Sequence, residues 1–271
     1  RLETAVKASN VPGQSSTTRY RSNVAGQRVE TVRGDGTSQA STTRYEYDSF
    51  GRLWHEIEAR GVALAEGSGD WERAERVRRG FPEDLSALTA EARASVQAVL
   101  LAAFTTTYEY DAADRLTRSV NALGGVTTND YDVFGNISSV TDARGYKRYQ
   151  VYDKAGRLAQ SVDAERYLTV FGYDAFGNLT SKLRVDGPVQ GNVVANQAVV
   201  LSSTPQPNGA YVLTNAAIDH LTSREFDRNG RLLRETDAEG YVEGSVGGLD
   251  AFGQRLSVRS KLGSVVTYTY E

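Results

Sequence analysis

A tyrosine–aspartate pair recurs along this chain at a fixed step, and that recurrence limits the possible folds more than any other feature. Tyr110-Asp111, Tyr131-Asp132, Tyr152-Asp153 and Tyr173-Asp174 stand 21 residues apart. Phe226-Asp227 and Leu249-Asp250 continue the series 53 and 23 residues later, and Tyr268-Thr269-Tyr270-Glu271 opens another copy. Upstream, Tyr47-Asp48 precedes Asp111 by 63 residues, and Ser22-Asn23 behind Tyr20 is a degenerate copy. A step of about 20 residues marks an architecture in which one small supersecondary unit is repeated many times.

The best-preserved unit reads Tyr45-Glu46-Tyr47-Asp48-Ser49-Phe50-Gly51-Arg52-Leu53. About ten residues later comes a second signal, Asp-Ala-x-Gly, as in Asp142-Ala143-Arg144-Gly145 and Asp237-Ala238-Glu239-Gly240. Asn121-Ala122-Leu123-Gly124 is a close variant, and Asp163-Ala164-Glu165-Arg166 lacks the glycine. An aspartate opening a type I turn bonds its own downstream amides, and a glycine in fourth place accepts the left-handed conformation. A type I turn closed by such a glycine is a common hairpin connection. Two turns in 21 residues leave two strands of roughly six or seven residues each. Alternation agrees: Tyr167, Phe171 and Tyr173 fall on one face, and Leu158 and Val162 share a face in the return strand.

Each unit is therefore predicted to be a β-hairpin, and the array an all-β, long antiparallel meander. The positions expected to carry it include Gly135, Gly156, Arg157, Gly177, Gly230 and Gly253 beside the Tyr and Asp residues already named. About eight hairpins give about sixteen strands, too many for a flat sheet, so the array is expected to curve or spiral.

Two stretches interrupt the pattern. The predicted order is repeats over residues 1–60, a helical insertion over 61–104, repeats over 105–186, a loop-rich insertion over 187–220 and repeats over 221–271. In the first insertion, residues 69–80 read as a charged helix with Ser68 or Asp70 as cap and Gly80 as stop. Phe81-Pro82 is expected to open a second helix running to about Phe104, with Leu85, Leu88, Ala92, Val96, Val99, Leu100 and Ala103 at helical spacing. Because 63 is three periods, the helical hairpin is expected to replace degenerate units. The second insertion, broken by Pro188, Pro205, Pro207 and Asn208-Gly209, reads as a loop with strand pieces at residues 196–201 and 210–214.

Composition removes several functional classes. The net charge of -3, with both signs interspersed, gives no basic field for nucleic acid. There is no cysteine, so disulfides and thiolate metal sites are excluded. No apolar run reaches the ~20 residues of a membrane-spanning helix. The chain starts at Arg1 and stops within a motif at Glu271, which suggests a stretch of a longer polypeptide. His55 and His220 stand alone, and Asp219-His220 has no accompanying serine elbow. No catalytic residue, cofactor site or metal site is assigned. Arg33-Gly34-Asp35 matches an adhesion tripeptide but reads more simply as a turn. Asn136-Ile137-Ser138 and Asn178-Leu179-Thr180 match glycosylation acceptors, and Gly247-Gly248-Leu249-Asp250 weakly matches a calcium-binding repeat. Exposed Tyr and Trp54 are candidates for sugar stacking or for cross-strand packing.

Tyr-x-Tyr-Asp-x-x-Gly-Arg-Leu followed by Asp-Ala-x-Gly resembles the RHS/YD-repeat family, which includes bacterial RHS proteins, the cocoon components of Tc toxins and the extracellular YD shell of teneurins. The resemblance covers nearly the whole chain outside the two insertions. It implies a spiralling β-shell in a secreted or cell-surface protein, with no enzymatic role for this stretch. It further implies a toxic C-terminal domain enclosed by the parent chain, and the alternative is an adhesion or carbohydrate-binding array. The self-cleaving segment with paired aspartates that closes many bacterial members has no counterpart here.

Overall fold

The structure is a computed structural model describing residues 2–7, 16–36, 40–67, 69–206, 209–215, 219–245, 249–250 and 252–270, with the backbone alone for 2–7 and 16. It divides into two compact units, Arg1–Thr128 and Asn129–Glu271.

The first unit holds β1 (Leu2–Lys7), β2 (Ser16–Ser22), β3 (Arg28–Arg33), β4 (Ser41–Tyr47) and β5 (Leu53–Ile57). Three helices follow, α1 (Ala59–Glu66), α2 (Asp70–Arg78) and α3 (Ala90–Ala102). The strands resume with β6 (Thr105–Tyr110), β7 (Leu116–Val120) and β8 (Val126–Tyr131), the last running through the division between units. Each strand pairs antiparallel with the next. This is the hairpin array that the turn chemistry predicts.

The second unit continues in the same way. It holds β9 (Ile137–Thr141), β10 (Lys147–Tyr152), β11 (Leu158–Val162), β12 (Tyr167–Tyr173), β13 (Leu179–Pro188), β14 (Val200–Ser202) and β15 (Tyr211–Leu213). After them come β16 (His220–Phe226), β17 (Leu232–Thr236), β18 (Val242–Ser245), β19 (Ser257–Arg259) and β20 (Val265–Thr267). Strands β9 to β13 pair consecutively, β13 pairs directly with β16, and β16 to β20 pair consecutively, all antiparallel. Strands β14 and β15 form a separate parallel pair, close to the pieces expected from sequence.

Strand register slips by one residue just before the Tyr-Asp turns, for example at Glu46/Tyr47, Glu109/Tyr110, Val151/Tyr152 and Gly172/Tyr173. A bulge gives two residues on one strand to one on the other and raises the local twist. At Gly172/Tyr173 the extra residue, Thr180, lies on the partner strand β13, while β12 runs unbroken through Tyr173.

The insertions are placed differently from the sequence expectation. Ile57 pairs with Thr105 and His55 with Thr107, so residues 58–104 stand where a five-residue turn stands elsewhere. No repeat unit is replaced, and the three-period spacing from Asp48 to Asp111 is one hairpin step plus a helical connection. The helix expected over 81–104 is also broken. Asp84 accepts the Ser86 N–H at 2.8 Å and starts a single 3-10 turn, Leu85–Ala87, after which Leu88 is extended. Thr89 then caps α3 by accepting the Ala92 N–H at 3.3 Å. These local side-chain acceptors compete with continuous helix, as Asp and Thr do at caps. The cap of α2 is the extended Gly69, Asp70 being its first residue, while Ser68 lies outside the described residues. Helix α1 had no sequence expectation.

Among the described residues, both clusters of buried apolar side chains involve the insertions. Leu64, Ala65, Leu85, Leu100 and Phe104 pack together within the helical segment. There Gly61 lies so close that a Cβ would fall 2.6 Å from Phe104 Cβ. Val162, Leu168 and Val185 of β11 to β13 receive Val189, Val193, Val199 and Val212 from residues 187–219. Elsewhere the strands are mostly half-buried.

Candidate functional site

The Tyr-Asp turns share one construction. At residues 48–52 the Asp48 N–H donates to Arg52 O at 2.9 Å, and the Gly51 N–H donates to Asp48 O at 3.0 Å. Asp48 Oδ1 accepts the N–H groups of Phe50 and Arg52, each at 2.9 Å, and Oδ2 accepts Arg52 Nε at 2.7 Å. One carboxylate therefore satisfies two loop amides and fixes the side chain of the fifth residue. Gly51 sits at φ 84°, the left-handed region that closes the bulge. The same bonds recur with Arg157 on Asp153, Arg231 on Asp227, and Asn136 and Asn178 on Asp132 and Asp174. At Asp250 the side chain accepts the Phe252 and Gln254 amides. The Asp-Ala turns at Asp142 and Asp237 have the same backbone, closed by Gly145 and Gly240, with Tyr146 and Tyr241 in fifth place.

Two turns without glycine keep this geometry. Asp114 stands at φ 61° and Arg166 at φ 73°, each in the glycine position. A left-handed non-glycine residue costs roughly 1–3 kcal/mol, and here both side chains make ties that offset it. Asp114 accepts Arg52 Nη1 at 2.8 Å, and Arg166 Nη2 donates to Val189 O at 2.9 Å and to Gly191 O at 2.5 Å. The loss of glycine at Arg166 thus anchors the second insertion instead of abolishing the turn.

Within each unit a hairpin meander brings its Tyr-Asp turns to one edge and its Asp-Ala turns or insertions to the other. Successive Tyr-Asp turns are two strand spacings apart, about 10 Å. The fifth residue of one turn reaches the next. Gln27 Nε2 donates to Gly51 O at 2.9 Å. Arg52 Nη1 reaches Asp111 O at 3.3 Å, and Arg157 Nη1 reaches Asp174 O at 3.1 Å. The tyrosine of the later turn answers in the opposite direction. Tyr47 Oη donates to Arg28 O, Tyr110 to Leu53 O, Tyr173 to Leu158 O and Tyr270 to Arg255 O, at 2.8 to 3.0 Å. Arg52 also lies 5.0 Å from the ring centroid of Tyr110. Every residue of Tyr-Asp-x-x-Gly-Arg-Leu thereby has a place: Asp and Gly make the turn, Arg and Tyr tie it to its neighbour, and Leu53 and Leu158 offer the carbonyl that receives the tie.

The electrostatics agree with a structural role for these groups. The backbone N–H and guanidinium of Arg157 hold the Asp153 carboxyl below its ordinary range, and Arg115 does the same for Asp111. Burial raises Tyr110, with Asp48 adding to the effect. Burial and Glu56 push Tyr108 up to about 12.

The remaining motifs are occupied by local contacts. His55 Nδ1 lies 2.8 Å from Glu46 Oε2, its ring stacked on Trp54 at 3.8 Å. Asp219 is turned away from a dyad with His220: it accepts the amides of Asp186 and Asn215 at 3.0 and 2.7 Å. Asp35 follows Gly34 in a turn and pairs with Arg19 at 3.3 Å. The amides of Asn136 and Asn178 donate to turn aspartates. Gly247 and Gly248 lie outside the described residues. Among the described residues no three His, Asp or Glu side chains converge as metal ligands would, and no helix is long and apolar enough to cross a membrane.

Sequence reasoning missed the most enclosed charge in the helical segment. Arg76 is 2 % exposed, and its guanidinium donates to the carbonyls of Leu64, Gly67 and Glu83 at 2.8 to 3.3 Å. Beside it Glu75 pairs with Arg60, Arg78 and Arg79, and Arg78 and Arg79 hold its carboxyl at about 2. The charge run of α2 gave no signal to separate this arginine from its exposed neighbours.

The family model for the RHS repeat matches residues 110–148 and 152–189. The chain carries RHS repeats over those residues. A search of curated proteins finds no significant relative. Among solved structures, the chain is similar to a TcdB2-TccC3-Cdc42 crystal structure at 17% identity and TM-score 0.44, covering 93% of this chain and 12% of that one. It is also similar to the Photorhabdus luminescens Tc holotoxin pore at 17% identity and TM-score 0.40, covering 94% of this chain and 13% of that one. The chain therefore spans a small part of the length of the proteins it resembles.

Proposed function

We propose that this chain is a section of an RHS shell wall that encloses a C-terminal toxin or effector domain of its parent polypeptide, in a secreted or cell-surface protein. The observation that supports this reading is the two-way tie between successive Tyr-Asp turns, Arg157 to Asp174 O and Tyr173 to Leu158 O. Backbone ladders hold strands along their length but leave turn edges free to fray, and frayed edges open at little free-energy cost. A wall that sequesters another domain needs its edge tied as well as its strands. The role is structural rather than catalytic, because the turn carboxylates and tyrosines are already used by the turns and ties. The partners are the rest of the parent chain and the enclosed domain.

Electron microscopy of the full-length parent, purified from its native host, tests this. A closed hollow particle with internal density is the expected result. An open rod with its repeats facing solvent would overturn the reading and leave an adhesion or carbohydrate-binding array.

A further inference from the structure

The third position of the Tyr-Asp turns alternates along the whole chain: Ala25, Phe50, Ala113, Phe134, Ala155, Phe176, Asn229, Phe252. The hairpin period is thus doubled at the turn tips. In the second unit the small turns carry a cation in second place, Lys154 and Arg228, where Asp132-Val133-Phe134 and Asp174-Ala175-Phe176 are apolar. Lys154 and Arg228 are exposed and have no ion-pair partner among the described residues. Phe134 is 87%, Phe176 77% and Phe252 88% exposed, and Val133 is 92% exposed. This edge therefore presents phenylalanine, cation, phenylalanine, cation, phenylalanine at a step of about 10 Å.

Between the first aromatic turn and the first cationic one lies a groove of about 270 Å³, lined by Val133, Phe134, Val151, Tyr152 and the two turn aspartates, with Asn196 at its end. It is large enough for a phenyl ring, and Lys154 follows its Asp153 wall in the chain. The edge thus carries both knobs and a hole.

We infer that this edge is a self-association surface, and that its occupant is a second copy of the chain running antiparallel about a two-fold axis with a one-turn offset. A two-fold interface must be self-complementary, and the alternation supplies that: an offset of one turn sets Phe134 and Phe176 each against a cation. Phe176 of one copy then enters the groove at the Lys154 turn of the other, and Phe134 meets Arg228, each pair formed twice. A cation over an aromatic face attracts the ring quadrupole. Phe134, Phe176, Val133 and the stems of Lys154 and Arg228 offer roughly 700 Å² per copy, close to the ~800 Å² of a standard interface. The inference goes beyond the shell reading and does not depend on an enclosed cargo.

Sedimentation velocity of the chain over a concentration series up to about 100 µM tests it. The expected result is a reversible dimer whose Kd rises at least ~30-fold in Phe134→Asp/Phe176→Asp and ~10-fold in Lys154→Glu/Arg228→Glu, while Phe50→Asp leaves it unchanged. These residues lie at solvent-exposed turn tips, and circular dichroism melts verify that each variant folds. A monomer throughout the series would overturn the inference, as would a dimer indifferent to the paired phenylalanine variant or equally weakened by Phe50→Asp. Phenylalanine-dependent co-sedimentation with anionic phospholipid vesicles, without self-association, would assign the edge to a lipid surface instead. Dimer formation says nothing of a hollow particle, so this test and the microscopy fail separately.

Discussion

The guanidinium of Arg157 lies 4.7 Å from the ring centroid of Tyr173 while its Nη1 donates to Asp174 O, and Tyr173 Oη donates back to Leu158 O at 3.0 Å. Two adjacent turns are thereby tied twice, once in each direction. Half-buried ties of this kind each contribute on the order of 1 kcal/mol. Tyr173→Phe is expected to remove about 1 kcal/mol, and Arg157→Ala a similar amount. Their double-mutant cycle should show coupling, because the arginine packs on the ring that carries the hydroxyl. Chemical denaturation of the four proteins measures this, and strictly additive losses would refute the tie.

The turn carboxylate acts through one oxygen toward the backbone. Asn23 and Asn121 do the same work in their turns, accepting two amides each through Oδ1. Asp153→Asn is therefore expected to be mild, while Asp153→Ala leaves two loop amides without their acceptor and destabilises the hairpin measurably more. Hydrogen exchange at the amides of Ala155 and Arg157 should quicken in the alanine variant only.

Gly156 stands at φ 75° with open space around its Cα. Strain rather than collision opposes a side chain there, and Gly156→Val is expected to cost about 1–3 kcal/mol. At Gly61 the obstacle is different: no left-handed angle is required, but Phe104 Cβ would stand 2.6 Å from a new Cβ. Gly61→Val should destabilise the helical segment by a comparable amount through overpacking. Thermal melts compare both, and a second substitution, Phe104→Ala, keeps the colliding Cβ and should leave the Gly61 variant largely unrelieved.

Glu75 ties three arginines, and its folded value of about 2 lies below the ordinary 4.5. A lowered carboxylate contributes stability that is fully present above its unfolded value and is lost as pH falls through the folded one. The helical segment is therefore expected to loosen between about pH 4.5 and pH 2. Helical circular dichroism followed down that range should fall in the native chain, and Glu75→Gln should flatten the dependence. High salt should weaken it as well, since the arginines are partly exposed.

The sequence by itself determined the repeated element. Asp-x-x-Gly acts within five residues, so its amide acceptance and the left-handed fourth residue follow from local chemistry wherever the motif occurs. The fold class, the succession of hairpins and the strand pieces near 200 and 212 were legible for that reason. Tertiary structure decided everything that depends on which distant groups meet. Only the pairing of Ile57 with Thr105 reveals that the helical segment occupies a turn position. Only the carbonyls of Leu64, Gly67 and Glu83 make Arg76 a buried anchor among otherwise ordinary surface arginines. The same holds for Arg166, whose strained angle is held by Val189 and Gly191, more than twenty residues away. A turn is specified by its own residues, whereas a tie between turns is specified by the sheet that sets them side by side.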